Sequence, residues 1–324
     1  MIQDPVLVND WHPVLRCDAL RPGKPMGARL LGEDLVFWRA DGNVCAWQDL
    51  CIHRGTRLSL GSVQDASLAC PYHGWVYDAS GRCIRIPAHP EQVPPAKAHV
   101  RVYQAKERYG MVWVSLGEPL QDVPFFPEEP DERFRKLLTG PFPPMRANGP
   151  RVIENFLDVT HFPFVHGGIL GDPARPQISD YVVETGTQGI LARDVVTFQP
   201  DPYGTGMGDT VSYTYRVFRP LTAYLEKDAP DGSRLTLMLT LTPHDELSTS
   251  AWFYGAVNDK INVTQQEWDD FQNSIFSQDV PIVESQRPEL LPLDLQTELH
   301  LRSDRLAIAY RRWLRELGLS YGIA

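Results

Sequence analysis

Two short stretches of the sequence pair a cysteine with a histidine. In WQDLCIHRG, one residue separates Cys51 from His53; in CPYHGW, two residues separate Cys70 from His73; sixteen residues lie between the pairs. Cysteine thiolates and imidazoles bind both zinc and the iron of iron–sulfur clusters. The four side chains therefore predict a metal centre: a zinc ion, or a [2Fe–2S] cluster with two cysteines on one iron and two histidines on the other.

The surroundings of these ligands favour the cluster over zinc. Gly55 and Gly74 closely follow the two pairs, and glycine lets backbone N–H groups approach the sulfur atoms. Zinc-finger histidines, in contrast, form a pair on one helix with a different spacing. The order Cys-x-His-x16-Cys-x-x-His, with HRG and YHGW, resembles the Rieske signature. Imidazole ligands give such clusters reduction potentials of roughly −150 to +300 mV, which suits an electron relay.

A second group of candidate ligands lies in ENFLDVTHFPFVHGG. Asn155, Asp158 and His161 are spaced three apart, so on a continuous helix they share one face. The rest of that helix is apolar, so we expect it to be buried, and buried acid and imidazole need partners or a metal. His161 and His166 are about 140° apart on an ideal helix. We expect Pro163 to end the helix, so that His166 turns back toward the same metal.

The third ligand of this second site is predicted to be a carboxylate. Two histidines and one carboxylate form the facial triad of mononuclear non-haem Fe(II) oxygenases, which leaves coordination positions open for O2. Asp279, in SIFSQDVPIVESQRP, is the first candidate because apolar residues flank it on a predicted helix. Glu284 is the reserve candidate, and an ordinary surface role for Asp279 is the alternative.

Hydrophobic periodicity divides the chain into two domains. Residues 1–117 show short apolar runs separated by hairpin turns, which predicts an all-β domain. A segment rich in proline and acidic residues follows Gly117, and we expect it to be a linker. Residues 118–324 alternate between strand patterns and long helical patterns. The sequence thus predicts an α+β protein whose second domain has an antiparallel sheet covered by helices.

Composition excludes several classes of protein. Hydrophobic residues make up 43% of the 324 residues, enough for a packed core, and the net charge of −10 argues against nucleic-acid binding. No apolar run approaches the roughly 20 residues of a membrane helix, so we expect no membrane partner. The first residues show no secretory signal, and the odd number of cysteines, five, argues against a disulfide framework. We therefore expect a cytoplasmic protein.

The two sites in this order resemble the terminal oxygenase component of Rieske non-haem iron oxygenases. The layout is similar to the vanillate and dicamba O-demethylase group, and the stretches WQDLCIHRG, CPYHGW, IPAHP and DVTHFPFVHGGILGD are closest to Rieske hydroxylases of saxitoxin-type pathways. Many relatives have proline where this chain has Ile52, which alters loop stiffness and not ligation. The likeness implies a [2Fe–2S] cluster, Fe(II), O2 as co-substrate and a catalytic domain of the helix-grip type.

The same resemblance implies partners and residue roles. A separate flavin-containing reductase, with or without a ferredoxin, passes electrons from NAD(P)H to the cluster. The family forms head-to-tail homotrimers, in which Asp158 bridges His73 of one subunit and His161 of the next. Asn155 matches a position near the iron, with a plain helix-packing role as the alternative. Arg54, Arg57 and Arg85 are candidates for docking the reductase, or are ordinary solvated charges.

Three classes of function remain open at this point. The first is mono-oxygenation of a small organic molecule, by hydroxylation or demethylation. The second is cis-dihydroxylation of an arene, against which the chain length argues mildly. The third is an electron carrier whose second domain is inert. The glycine-rich stretch GTGMGD, which contains Gly204, is not GxGxxG and is predicted to be a loop. The chain therefore shows no nicotinamide- or flavin-binding pattern, which favours an external reductase.

Overall fold

The computed structural model describes residues 2–186, 189–202 and 206–324. The chain forms two compact units, Met1–Val123 and Pro124–Ala324. The domain division after Gly117 stays a prediction, and Gly204 lies outside the described residues. The two units are called the N-terminal and C-terminal units below.

The N-terminal unit contains two antiparallel sheets and one short helix, α1 (Pro5–Val8). Its ten strands are β1 His12–Arg16, β2 Met26–Leu30, β3 Glu33–Ala40, β4 Asn43–Gln48, β5 Ser62–Gln64, β6 Ser67–Ala69, β7 Val76–Asp78, β8 Cys83–Arg85, β9 Val102–Arg108 and β10 Met111–Ser115. The larger sheet has the order β1-β10-β9-β4-β3-β2, and the smaller sheet has the order β5-β6-β7-β8. A 3-10 turn, Leu58–Leu60, precedes β5.

Both sheets contribute to one core in the N-terminal unit. Trp38 and Trp47 are fully buried and pack edge to face with ring centroids 4.9 Å apart. Tyr77 from the smaller sheet joins them, 6.4 Å from Trp47. Cys51 and Cys70 belong to the same core cluster. The two predicted cysteine ligands are therefore fixed by the packing that joins the two sheets.

The C-terminal unit is built on one seven-stranded antiparallel sheet. Its strands are β11 Phe134–Thr139, β12 Val182–Gly186, β13 Gly189–Gln199, β14 Asp209–Arg219, β15 Thr222–Asp228, β16 Arg234–Asp245 and β17 Ser248–Asn258, in the order β11-β17-β16-β15-β14-β13-β12. Strands β16 and β17 are buried on both faces over most of their length. Such strands do not show the usual alternation of apolar and polar residues in their sequence, because both faces pack against other elements.

Four α-helices accompany this sheet among the described residues: α2 Gly149–Leu157, α3 Phe162–Val165, α4 Gln265–Ser285 and α5 Arg305–Leu317. A 3-10 turn, Arg302–Asp304, precedes α5. Helix α4 begins with a capping box in which Thr264 and Glu267 satisfy each other's backbone N–H groups. The predicted α+β class, with an all-β unit followed by an antiparallel sheet and helices, is confirmed.

The helix that was predicted to end at Pro163 is shorter than expected. Helix α2 ends at Leu157, and Asp158 has extended backbone angles. The Asp158 carboxylate accepts hydrogen bonds from the backbone N–H and the hydroxyl of Thr160, at 2.7 and 2.6 Å. This local turn competes with helix propagation. Asn155, Asp158 and His161 therefore do not share the face of one continuous helix.

Among the described residues, no helix combines the length and the apolar composition needed to cross a bilayer.

Candidate metal centres and substrate cavity

The two Cys–His pairs of the N-terminal unit lie in loops of matching geometry. Cys51 follows β4 and Cys70 follows β6. In each loop the cysteine carbonyl accepts a hydrogen bond from the glycine four residues later, Gly55 at 2.9 Å and Gly74 at 3.1 Å. Gly55 and Gly74 have φ of +70° and +67°, a left-handed conformation in which other residues are strained. The glycines thus allow each loop to turn back over its own ligands.

The side chains of these loops fit a [2Fe–2S] cluster. Cys51 and Cys70 are 2% and 3% exposed and form no disulfide. The rings of His53 and His73 are 4.6 Å apart, and Trp75 stacks on His53. The Nδ1 atom of His53 is buried without a hydrogen-bond partner among the described residues. Two buried thiols beside two imidazoles, one with an unused ring nitrogen, are the donors that such a cluster requires.

A tyrosine hydroxyl contacts one of the two thiols. The Tyr77 hydroxyl lies 3.1 Å from Cys51 Sγ, and Tyr77 is fully buried. Burial, and then the Cys51 thiol, raise the pKa of Tyr77 far above its ordinary value. The phenol therefore stays protonated and donates to the sulfur when that sulfur is a thiolate.

We expect Tyr77→Phe to lower the reduction potential of the cluster, on the order of tens of millivolts. A hydrogen bond to a ligand sulfur withdraws negative charge and stabilises the reduced state, so its loss makes reduction harder. Redox titration of the isolated protein, followed by its cluster absorbance, measures the shift. Phenylalanine fits the same space, so the cluster content of the variant should equal that of the parent. An unchanged potential would mean that this contact does not tune the cluster.

The second candidate site depends on the short helix α3. His161 is its N-terminal cap and His166 is its C-terminal cap. Pro163 stands in the first turn, where a helix needs no N–H donor. Pro163 was predicted to end a helix; it begins one, and the chain folds back directly after it. A Cβ at Gly171 would lie 2.5 Å from the Pro163 backbone nitrogen, so the return of the chain depends on glycine.

Three ligand atoms converge where α3 meets α4. The Nε2 atoms of His161 and His166 are 3.3 Å apart, and Asp279 Oδ1 lies 3.4 and 3.2 Å from them. His166 is 1% exposed, and the side chains of His161 and Asp279 are each 13% exposed. In this group the three ligand atoms all lie within 4.8 Å of one another, close enough to hold a single metal ion. The structure thus brings together all three predicted ligands.

The outer nitrogens of both imidazoles have acceptors that fix the ring tautomers. His161 Nδ1 lies 3.2 Å from Asp158 Oδ2, and His166 Nδ1 lies 2.8 Å from Gln278 Oε1. A neutral imidazole that donates from Nδ1 has its lone pair on Nε2. Both lone pairs then point at the space beside Asp279. Metal-binding histidines usually have such outer partners, so the residues fit a mononuclear Fe(II) ion.

The electrostatics of the triad also favour a cation. Burial by itself would lower the pKa of His161, but hydrogen bonds and charge from Asp158 and Asp279 outweigh it and raise the pKa to about 9. Burial raises the pKa of Asp279, yet His161 and His166 outweigh it and the net shift is downward. Both shifts show that positive charge is stabilised between the carboxylates. A divalent metal ion supplies that charge.

Two further predictions for this site have different outcomes. Asn155 lies beside the triad, with its amide nitrogen 3.5 Å from Asp279 Oδ1. Glu284, the reserve carboxylate, is not in the triad; its Oε1 accepts from the Arg146 backbone at 2.7 Å. Asp279 precedes Glu284 by five residues on α4, so the two side chains point in different directions around the helix.

A cavity of about 130 Å³ opens from the triad into the C-terminal unit. Its walls are mainly apolar, and helices and sheet both contribute to them. The apolar lining includes Phe156, Leu237, Leu239, Phe253, Ile275 and Phe276. Phe164, by contrast, is 67% exposed and Trp252 is packed in the core, so neither lines the cavity.

Comparisons with known proteins agree with this architecture. The profile of the Rieske [2Fe-2S] domain matches residues 10–104, and that of the vanillate O-demethylase oxygenase C-terminal domain matches residues 145–319. The methylxanthine N1-demethylase NdmA of Pseudomonas putida is 32% identical over 316 residues, which are 95% of this chain and 88% of NdmA. The chain belongs to the Rieske non-haem iron oxygenases.

Two more members of the family extend the comparison. The vanillate O-demethylase oxygenase subunit of Pseudomonas sp. (strain ATCC 19151) is 28% identical over 320 residues, covering 89% of this chain and 95% of that protein. The solved structure of P. putida CBB5 NdmA with caffeine has a TM-score of 0.86 and 31% identity, covering 97% of this chain and 91% of that one. The predicted resemblance to the vanillate group is confirmed, whereas the likeness to saxitoxin-type hydroxylases stays a prediction.

A Rieske oxygenase uses a [2Fe–2S] cluster, a mononuclear Fe(II) and O2, so these cofactors are those of this protein. Among the residues that sequence reasoning missed, Tyr77 and Gln278 contact predicted ligands and Gln272 lines the cavity. Only Gln272 gave a signal. It lies four residues before the buried Phe276 on α4 and is itself 4% exposed, and a polar residue on an apolar helix stripe indicates a special environment.

Proposed function

We propose that this Rieske oxygenase removes a methyl group from a small aromatic molecule by mono-oxygenation. The observation that carries this proposal is that His161, His166 and Asp279 lie together in the wall of a mainly apolar cavity. Such a cavity binds a small apolar or aromatic body and directs one part of it at the triad. NdmA and the vanillate enzyme, which match most of this chain, are both named demethylases.

In the proposed reaction, one oxygen atom of O2 enters a methyl C–H bond and the other leaves as water, with two electrons and two protons consumed. The resulting hydroxymethyl group on nitrogen or oxygen loses formaldehyde and leaves the demethylated product. When bound, the iron supplies O2 activation and the cluster supplies electrons. His161, His166 and Asp279 would hold the iron, and Cys51, His53, Cys70 and His73 would hold the cluster.

The residues of the cavity have two tasks in this scheme. Phe156, Phe253 and Phe276 keep bulk water away from the reacting methyl group, because their rings fill the wall beside the triad. Asp158 and Gln278 hold the two imidazoles in orientation through their Nδ1 atoms.

The electrons are proposed to come from a separate reductase with a flavin and NAD(P)H. The vanillate enzyme is named an oxygenase subunit, which supports a system of several components. In this chain, Arg54 and Arg85 are exposed near the ligand loops, and Arg57 is exposed beside Asp34. We propose that this basic rim docks an acidic face of the reductase or of an intermediate ferredoxin in the cytoplasm, where NAD(P)H is available.

Electron transfer between the two centres is proposed to run between subunits of a head-to-tail homotrimer. His73 is exposed, so the cluster edge is available to another molecule. Asp158, with 34% of its side chain exposed, lies in a recess of the C-terminal unit. Around that recess, Leu299 and Ile282 are 89% and 44% exposed. Apolar side chains at the rim support burial against a second copy, with Asp158 bridging His73 and His161.

Turnover under ¹⁸O₂ with a reductase and NADH tests the proposed reaction. Caffeine, vanillate and a mixture of methylated aromatic compounds serve as candidate substrates. We expect a product that is lighter by one CH2 unit, with one formaldehyde released for each NADH oxidised. A product that retains its methyl group and gains one labelled oxygen would instead establish hydroxylation. A gain of two labelled oxygens would establish the dihydroxylating alternative, and both results contradict demethylation.

A further inference from the structure

The sheet side of the cavity has three polar side chains among apolar ones. Tyr213 and Tyr215 on β14 and Lys227 on β15 all line the cavity. Residues two apart on a strand point to the same face, and Tyr213 pairs with Lys227 while Tyr215 pairs with Leu225. The three polar side chains therefore stand side by side on the face that looks toward α2 and α4.

Protein partners account for two of these three groups. The Gln199 amide donates to the Tyr213 hydroxyl at 2.7 Å. Lys227 Nζ donates to Gln199 Oε1 at 2.9 Å and to the Pro202 carbonyl at 2.8 Å. Gln199 is 1% exposed, so this network is internal to the unit. Tyr213 and Lys227 thus have structural roles that explain their presence.

Tyr215 differs from its two neighbours. It is completely buried, and its hydroxyl has no hydrogen-bond partner among the described residues. Its ring is held edge to face by Phe156 at 6.0 Å and is tilted against Tyr213 at 5.8 Å. A buried hydroxyl without a partner costs stability, and such groups in native proteins call for an explanation.

The position and protonation of this hydroxyl suit a hydrogen-bond donor. Burial raises the pKa of Tyr215 well above its ordinary value, and the charge of Asp158 adds to that effect. The phenol is therefore protonated at any physiological pH. Tyr215 lines the same cavity as the three residues of the triad, where a bound substrate must present its methyl group.

We propose that Tyr215 positions the substrate by donating a hydrogen bond to a neutral acceptor, a carbonyl oxygen or an aromatic ring nitrogen, on a flat methylated ring. This inference rests on the proposed demethylation and adds the substrate class: neutral aromatic compounds that carry an acceptor. Donation from one fixed point fixes the rotation of a flat ring in the cavity. Tyr215 thereby selects which methyl group faces the iron.

Equilibrium binding to the oxidised holoenzyme, without reductase, tests the proposal apart from turnover. Isothermal titration calorimetry would use caffeine and 3,4-dimethoxybenzaldehyde, which carry acceptors, and 1-methylindole, which has no comparable acceptor. We expect Tyr215→Phe to raise the Kd of the first two by about tenfold, the effect of one lost neutral hydrogen bond. The Kd of 1-methylindole should change less than about twofold, since the ring contacts remain.

Thermal unfolding separates this role from a structural one. Tyr215→Phe should keep or raise the Tm, because it removes a hydroxyl without a protein partner. The matched control Tyr213→Phe should lower the Tm, because it leaves the buried Gln199 amide without its acceptor. Iron and cluster content should equal those of the parent in both variants.

Several outcomes would overturn the proposal. In Tyr215→Phe, these are an equal loss of affinity for all three probes, or no loss for any of them. Binding of 1-methylindole alone by the wild type would also overturn it. So would a Tm of Tyr215→Phe that falls as much as that of Tyr213→Phe. The proposed function fails in a different way, when the wild type releases no formaldehyde from any methylated compound. Formaldehyde release together with equal Kd values for wild type and Tyr215→Phe refutes only the role of Tyr215.

Discussion

Asp279→Ala is expected to leave the protein without its mononuclear iron and to reduce turnover at least about a hundredfold, while the cluster remains. Asp279 Oδ1 lies 3.2 Å from His166 Nε2 and 3.4 Å from His161 Nε2, and it is the carboxylate of the triad. Mutation of a residue that only contacts a metal ligand lowers metal affinity or activity about 10- to 100-fold. Mutation of a direct ligand should lower them at least as much. Metal analysis and the cluster absorbance measure the two centres separately.

Glu284→Ala is the matched control for this prediction. It removes a carboxylate from the same helix, α4, but Glu284 accepts from the Arg146 backbone instead of facing the triad. We expect this variant to keep its iron and its turnover. Full iron occupancy in Asp279→Ala, or iron loss in Glu284→Ala, would show that the triad has been assigned wrongly. Full function in Asp279→Ala would favour the electron-carrier alternative.

Asp158→Ala is expected to slow electron transfer from the cluster to the iron by at least about a hundredfold. Asp158 accepts from His161 Nδ1 at 3.2 Å, and 34% of its side chain is exposed. A residue that only orients its histidine would be expected to change activity by about 10- to 100-fold through the metal site. Because Asp158 is also proposed to bridge to the neighbouring subunit, its removal additionally breaks the route of electron transfer. The rate at which O2 and substrate re-oxidise the chemically reduced cluster, in iron-loaded protein, measures this step.

Gln278→Ala separates the bridge from the orienting role. Gln278 Oε1 lies 2.8 Å from His166 Nδ1, so both variants remove one acceptor from one candidate iron ligand. Once iron is loaded, we expect Gln278→Ala to slow re-oxidation of the cluster by no more than the roughly 10- to 100-fold of an orienting residue, and so by less than Asp158→Ala does. If both variants are slowed to the same extent, Asp158 acts only by holding His161, and the route between subunits must be sought elsewhere.

The sequence was most informative about the metal ligands themselves. Local spacing predicts Cys51, His53, Cys70 and His73 as ligands, because few residue types can ligate a Rieske cluster and each pair is expected to come from one loop. The same reasoning found His161 and His166, although it misjudged the backbone between them. It assumed one helix that stops at Pro163, whereas α2 ends at Leu157 and α3 begins around Pro163. The Asp158–Thr160 turn that separates them has no strong sequence signal.

The tertiary structure decided which residues support those ligands. Gln278 reaches His166 from a helix that is distant in sequence, and Tyr77 reaches Cys51 from another strand. Glutamine and tyrosine are common on any helix or strand, so their type and spacing predict nothing until packing selects a partner. The sequence ranked Asp279 ahead of Glu284 by its apolar neighbours, and the structure shows the cause: α4 directs Asp279 toward the two histidines and Glu284 toward the Arg146 backbone.

The cavity shows the same division between local and long-range information. Alternation along β14 and β15 indicates which side chains share a face of the sheet, but burial on both faces of β16 and β17 hides the pattern there. Phe156 and Leu239 line the cavity, whereas Phe164 and Trp252 do not. The sequence by itself determined the two cofactors and the residue types that bind them, since ligand chemistry is local. Only the packing of helices on the sheet decided what surrounds the substrate, because those contacts join residues that are far apart in the chain.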